Sequence, residues 1–276
     1  MKRLLDWRLL TALFVLAFAM TLTSCGVDDE VKPDMEQVTD GSTENDQGNS
    51  GSTGNEETNG SEDNTEGDSG NTDADLENPN GGVAVDLGLP SGTLWADRNI
   101  GADTPEECGD YFAWGETEPK AIYSWSTYKW CNGGEETQIK YCSDSEYGLN
   151  GFTDNKTTLD AEDDAATANW GDAWCMPTKA QLQELGDNCT WNFTSTTNDV
   201  RGCKVTGPNG NSIFLPAAAY RKNDIYGATG IYGYYRSSSL HESYPCNSWE
   251  LFFYEKYDYI NNNPRCYGYP VRAVVR

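Results

Sequence analysis

The run Cys175–Asn188, CMPTKAQLQELGDN, carries the best-marked helix of the chain. Thr178 stands at the N-cap, Gln181 three residues on is its capping-box partner, Leu182 and Leu185 make an apolar stripe, and Gly186 offers a stop. Outward from this helix the signal changes. Upstream, Asp160–Asn169 reads as a second, weaker helix with Asp160 as a candidate cap. Downstream, Lys204–Thr206 and Ser212–Leu215 flank Gly-Pro-Asn-Gly-Asn, the composition of a hairpin turn. Two further strands are expected around Trp249–Tyr254 and Pro270–Val275. Aromatic residues and glycines alternate through the remainder, and helical periodicity is scarce there. The expectation is an α+β domain, rich in strands and loops, with one or two short helices. It spans 83–276, long enough for one core and without a second boundary.

Residues 25–82 have a different composition. From Gly26 onward they are almost entirely Asp, Glu, Ser, Thr, Asn and Gly, with Lys32 as the one basic residue. Such a segment holds too little apolar surface to offset the chain entropy lost on ordering, so a disordered acidic stalk is expected. Residues 1–24 read as a signal peptide: Lys2, Arg3 and Arg8 precede an apolar run from Leu9 to Leu22 that is too short for a stable membrane span. Leu22-Thr23-Ser24-Cys25 resembles the lipobox of bacterial lipoproteins, which implies cleavage before Cys25 and lipidation of its thiol. The acidic Asp28-Asp29-Glu30 resembles the surface-export signal of Bacteroidetes lipoproteins, although a solvated charge run has the same appearance. The expected location is the outer membrane, exposed at the cell surface, with the lipid as the only membrane contact. A net charge of −25 over 276 residues repels phosphate backbones and excludes nucleic acid as a partner.

The segments VDLGLPSGTLWA (Val85–Ala96), GDYFAWGETEPK (Gly109–Lys120), YSWSTYKWCNG (Tyr123–Gly133) and DNKTTLDAEDDAA (Asp154–Ala166) form an ordered series. WGDAWCMPTKAQLQEL (Trp170–Leu185), NGNSIFLPAAAYR (Asn209–Arg221), GYYRSSSL (Gly233–Leu240) and GYPVRAV (Gly268–Val274) continue it. In this order and spacing they resemble the Fibrobacter succinogenes major paralogous domain family, abundant in gut Bacteroidetes. More distantly, the Met-Pro-Thr helix start and the closing Gly-x-x-Val-Arg strand are similar to the formylglycine-generating-enzyme branch of the C-type-lectin-like fold. The resemblance implies a C-type-lectin-like frame that carries a sequence-tolerant loop surface. Fold does not by itself give function.

Chemistry-bearing constellations are few. Of nine cysteines, Cys25 goes to lipid; the other eight match no zinc spacing, and the short Cys131–Cys142 loop marks that pair as the one candidate disulfide. Formylglycine-generating enzymes use a reactive cysteine pair, but the surroundings of Cys246 and Cys266 do not match that motif or provide an electropositive setting. His241 is the single histidine, so a histidine-dependent hydrolase is not expected. Glu118-Pro119-Lys120 has a superficial likeness to the sugar and calcium motif of true C-type lectins and lacks its partner motif; it reads as a turn. Asp160, Glu162, Asp163 and Asp164 offer oxygens for calcium, yet their spacing is not that of an EF-hand loop. No catalytic residue, metal or cofactor is expected.

The C-terminal segment from Tyr232 onward mixes frame residues with an irregular set of Tyr, Asn, Ser, His, Arg, Cys and Asp. Trp249, Leu251 and Phe253 alternate as one strand face, which turns Glu250, Phe252 and Tyr254 to the other. The intervening residues have the chemistry of a paratope, rigid amphipathic rings beside adaptable hydrogen-bonding groups. The expected ligand-binding set is Arg236, His241, Tyr244, Asn247, Tyr254, Tyr257, Tyr259, Asn261, Asn262, Asn263, Arg265 and Tyr267. The mix also resembles the variable region of retroelement-diversified C-type-lectin-like proteins, in which Asn codons are randomised. Glu242, Glu250 and Lys256 do not arise from an Asn codon, Arg236 stands where the family usually has Trp, and a drifted surface on an ordinary paralogue fits the same residues. The expected function is a displayed lipoprotein that binds a protein or glycan. A structural protein of a surface assembly is the second reading, and a formylglycine-generating-type enzyme the third.

Overall fold

The structure is a computed structural model that describes residues 81–196 and 198–276. The expected signal peptide, Cys25 and nearly all of the expected acidic stalk lie outside the described residues. Within them, the short strands β1 (Ala84–Asp86), β2 (Leu94–Ala96) and β3 (Trp174–Cys175) join β12 (Val274–Val275) in one sheet of order β1-β2-β12-β3. This sheet brings the two ends of the domain together: Val274 pairs with Trp95 on one side and with Cys175 on the other. A second antiparallel sheet, β4-β5-β6, comprises Thr190–Ser195, Arg201–Thr206 and Ser212–Pro216. The expected Gly-Pro-Asn-Gly-Asn hairpin is its β5–β6 connection, with Thr206 opposite Ser212. A two-residue pair, β7 (Arg221–Lys222) and β8 (Ile225–Tyr226), precedes the largest ladder. That ladder is β9 (Gly233–Leu240), β10 (Asn247–Tyr254) and β11 (Tyr257–Pro264), ordered β11-β10-β9.

Helix α2 (Lys179–Asn188) has the expected capping box, with Thr178 N–H donating to Gln181 Oε1 at 2.9 Å and Gln181 N–H donating to Thr178 Oγ1. Gly186 does not stop it. The helix continues to Asn188, whose amide donates to the Glu184 carbonyl, and the chain leaves in extended backbone at Cys189. The weaker helix is also shifted: Ala161–Asp163 is a 3₁₀ turn, and α1 covers Ala165–Trp170. Its cap is Asp164 rather than Asp160. The Asp164 carboxylate accepts from the N–H groups of Ala166, Thr167 and Met176, which ties the helix start to the residue that follows β3. The final strand is shorter than Pro270–Val275, because Pro270 has no N–H for a ladder and Arg272 is used differently. Its guanidinium is buried and donates to Asn99 Oδ1 and to the carbonyls of Ala96, Asp97 and Phe214.

Leu182 and Leu185 of α2 enter the same buried cluster as Leu251 and Phe253 of β10, Tyr235 of β9 and Val205, Ile213 and Leu215 of the second sheet. The β9-β10-β11 ladder therefore has one face on the core. Gly233 makes that packing feasible: it lies opposite Phe253, and a Cβ there would sit 2.1 Å from the Phe253 ring. Among the described residues all eight cysteines are free thiols. The candidate Cys131–Cys142 disulfide is thus corrected. Cys131 Sγ is turned to the Trp125 carbonyl and Cys142 Sγ to that of Asp144.

Candidate ligand-binding face

The β10–β11 register fixes which side chains share the face turned away from α2. Glu250 lies opposite Asn261, Phe252 opposite Tyr259 and Tyr254 opposite Tyr257, while on the other side Glu250 faces Arg236 and Phe252 faces Tyr234. Directly opposed residues in an antiparallel pair project to the same side. The rings join into a continuous belt. Phe252 is 4.7 Å from Tyr234, 5.0 Å from Tyr259, 5.7 Å from Tyr254 and 5.8 Å from Tyr232, and Tyr254 is 5.5 Å from Tyr257. Tyr234 continues the belt to Tyr220 at 5.2 Å, and Tyr220 stacks on Tyr267 at 6.1 Å.

The belt is graded in depth. Phe252 and Tyr269, which stacks on Tyr234 at 5.4 Å, are buried, Tyr220, Tyr234, Tyr254 and Tyr267 are half-buried, and Tyr232, Tyr257 and Tyr259 are 37%, 60% and 49% exposed. Buried rings hold the exposed ones at low conformational cost, as in paratopes. At the centre is a polar strip. Glu250 is fully buried, lies 3.7 Å from Arg236 Nη1, and its Oε1 accepts from the side-chain amides of both Asn261 and Asn263. Burial pushes the Glu250 carboxyl up to about 7, opposed by Arg236 and by the Asn263 amide.

The expected binding set divides into three. Tyr254, Tyr257, Tyr259, Asn261, Asn263 and Tyr267 belong to the belt and its strip. His241, Tyr244, Asn247 and Asn262 cluster elsewhere, around Trp249, which pairs with Asn262 on the α2 side of the ladder. The His241 ring stacks on Trp249 at 4.5 Å with Tyr244 beside it, Lys179 Nζ stands 3.3 Å over the indole, and Asn247 donates to Asn262. Trp249 is accordingly half-buried and not a core residue like Leu251 and Phe253.

Arg236 and Arg265 are corrections, since both are fully buried. Arg236 donates to Ser248 Oγ and to the carbonyls of Pro264 and Tyr267, and lies 3.8 Å over the Tyr269 ring. Arg265 donates to Tyr128 Oη and to the carbonyls of Lys140, Tyr141 and Pro245. These guanidinia hold loops together by satisfying otherwise orphaned buried carbonyls. Sequence reasoning also missed Tyr220, Tyr232 and Tyr234. Alternation from Phe252 across the neighbouring strand was the available signal for Tyr234; nothing local marked Tyr220.

The remaining constellations have structural explanations. Asp160, Glu162 and Asp163 do converge, but Lys140 Nζ occupies their centre, 2.9, 3.2 and 2.5 Å from the three carboxylates. Lys156 and Lys140 hold the Asp160 carboxyl down to about 2. Cys246 and Cys266 are buried, and burial pushes both thiols up to about 12, away from the thiolate that nucleophilic attack requires. A cleft of about 380 Å³ beside β4–β6, lined in part by Asp97, Glu106, Lys204 and Phe214, shares no lining residue with the belt. Comparison of the chain with protein-family models, curated proteins and solved structures yields no match.

Proposed function

We propose that this protein is a lipid-anchored, surface-displayed binding protein that captures a protein or glycan ligand on the aromatic belt of the β9-β10-β11 ladder. The single observation that carries this reading is the belt itself. A row of contiguous rings, exposed on one side, anchored from below and interspersed with Asn amides, is a costly surface to keep in water and is typical of recognition faces. The C-type-lectin-like fold and the paralogous-domain membership belong to the same proposal. They are supported by the pairing of the domain's first strands with its last and by the antiparallel C-terminal ladder. Lipidation at Cys25 and outer-membrane display rest on the leader sequence.

The experiment is a screen of glycans and of bacterial and host surface proteins against the full secreted chain, repeated with Tyr232, Tyr254, Tyr257, Tyr259 and Tyr267 all changed to Ala. Central aromatic truncations commonly cost more than about 1 kcal/mol each, so the combined change is expected to abolish binding while circular dichroism stays native. Unchanged binding by the folded variant refutes the belt as the site and favours the surface-assembly reading.

A further inference from the structure

The chemistry of the ligand follows from the orientation of two amides. An Asn side chain has a donor end and an acceptor end. Both Asn261 and Asn263 direct their amide nitrogens to Glu250 Oε1, so their Oδ1 atoms are turned away from the buried carboxylate. Both residues are half-buried, and among the described residues no group donates to either oxygen. The centre of the belt is therefore an acceptor strip. It is flanked by Phe252, Tyr259 and Tyr234, whose ring faces carry the negative side of the aromatic quadrupole.

Fixed positive charge does not fill this position. Both Nη groups of Arg236 are spent on Ser248 and on the carbonyls of Pro264 and Tyr267, and Glu250 lies 3.7 Å away. Lys222 sits at the far end, 5.1 Å from the Tyr267 ring, and Lys256 lies in the turn at the opposite end. The net charge of −25 draws cationic partners toward the molecule.

We propose that the group seated over Asn261 and Asn263 is a hydrogen-bond-donating cation, a lysine ammonium or arginine guanidinium of a protein partner. This rests on the belt being the binding face. Two amide oxygens without a donor are the acceptors that a cation carrying only donors requires, and the flanking rings add cation–π attraction that a neutral sugar hydroxyl does not receive.

The test uses the full secreted chain at physiological salt, with labelled oligoarginine, labelled oligoglutamate and maltoheptaose as probes and anisotropy or calorimetry as the readout. Oligoarginine is expected to bind the native protein about tenfold or more tightly than the Tyr257→Ala/Tyr259→Ala chain, and a comparable loss is expected for Asn261→Ala/Asn263→Ala. Oligoglutamate and maltoheptaose are expected to show no ring-dependent binding. Oligoarginine binding that is indifferent to the rings reports only the acidic run and overturns the cation assignment, while the ligand screen above still decides the belt. Ring-dependent binding of oligoglutamate or maltoheptaose also overturns the cation assignment, and in that case supports the belt as the site.

Discussion

The buried Glu250 makes the stability of this domain depend on pH in a direction that can be worked out. Its carboxyl is raised from 4.5 to about 7 in the folded protein, mainly by burial and against the attraction of Arg236. The unfolded chain ionises it near its ordinary value and the folded chain resists. Its contribution to stability is therefore fully present below about pH 4.5 and is lost progressively as pH rises to about 7. The interval from 4.5 to about 7, at about 1.36 kcal/mol per pH unit, corresponds to a loss of about 3 kcal/mol. The perturbation is Glu250→Gln, which keeps the shape and mimics the protonated acid. Asp110, Asp164 and Asp258 are also raised by burial, so the informative quantity is the difference between the two proteins rather than either curve. Urea unfolding from pH 4 to 8.5 is expected to show the variant gaining on the native chain by about 3 kcal/mol between roughly pH 4.5 and 7, then running parallel to it. Curves parallel throughout would mean that Arg236 attracts the carboxylate strongly enough to cancel burial, and the reasoning would fail.

Two further outcomes test the division between core and surface. Phe253→Ala is expected to destabilise the domain by about 3 to 5 kcal/mol because its ring is enclosed by Tyr235, Trp191 and the α2 leucines, whereas Trp249→Ala costs well under that, its indole being half-exposed; chemical denaturation of the two variants gives the comparison. Cys246 and Cys266 are expected to resist iodoacetamide in the native protein at pH 8 and to react once it is unfolded, as read by mass spectrometry. Rapid native labelling would contradict their burial and their raised ionisation.

Local chemistry was legible in the sequence. The Thr178–Gln181 capping box, the Gly-Pro-Asn-Gly-Asn hairpin and the shared face of Leu251 and Phe253 each depend on residues within a few positions of one another. Short-range hydrogen bonding and strand alternation suffice to specify them. The α+β class followed from these elements. The Asn-rich strand β11 did not, since Asn has low strand preference and the strand exists because β10 offers it a complete ladder.

Tertiary structure decided which of the expected residues share one face, and it added Tyr220, Tyr232 and Tyr234 to them. Tyr220 and Tyr267 are far apart in sequence and meet only because the chain returns beside the ladder, so no local pattern joins them to Tyr257 and Tyr259. Arg236 and Arg265 read as surface cations because charged side chains usually are. Their burial depends on carbonyls from separate loops converging on each guanidinium. The Asp160, Glu162 and Asp163 cluster resembled a cation site for the same reason, and its cation is Lys140, twenty residues upstream of the first of them. Sequence determines the donors and acceptors a chain carries. Which of them are left unpaired and facing outward is set by long-range packing, and that remainder is what a ligand meets.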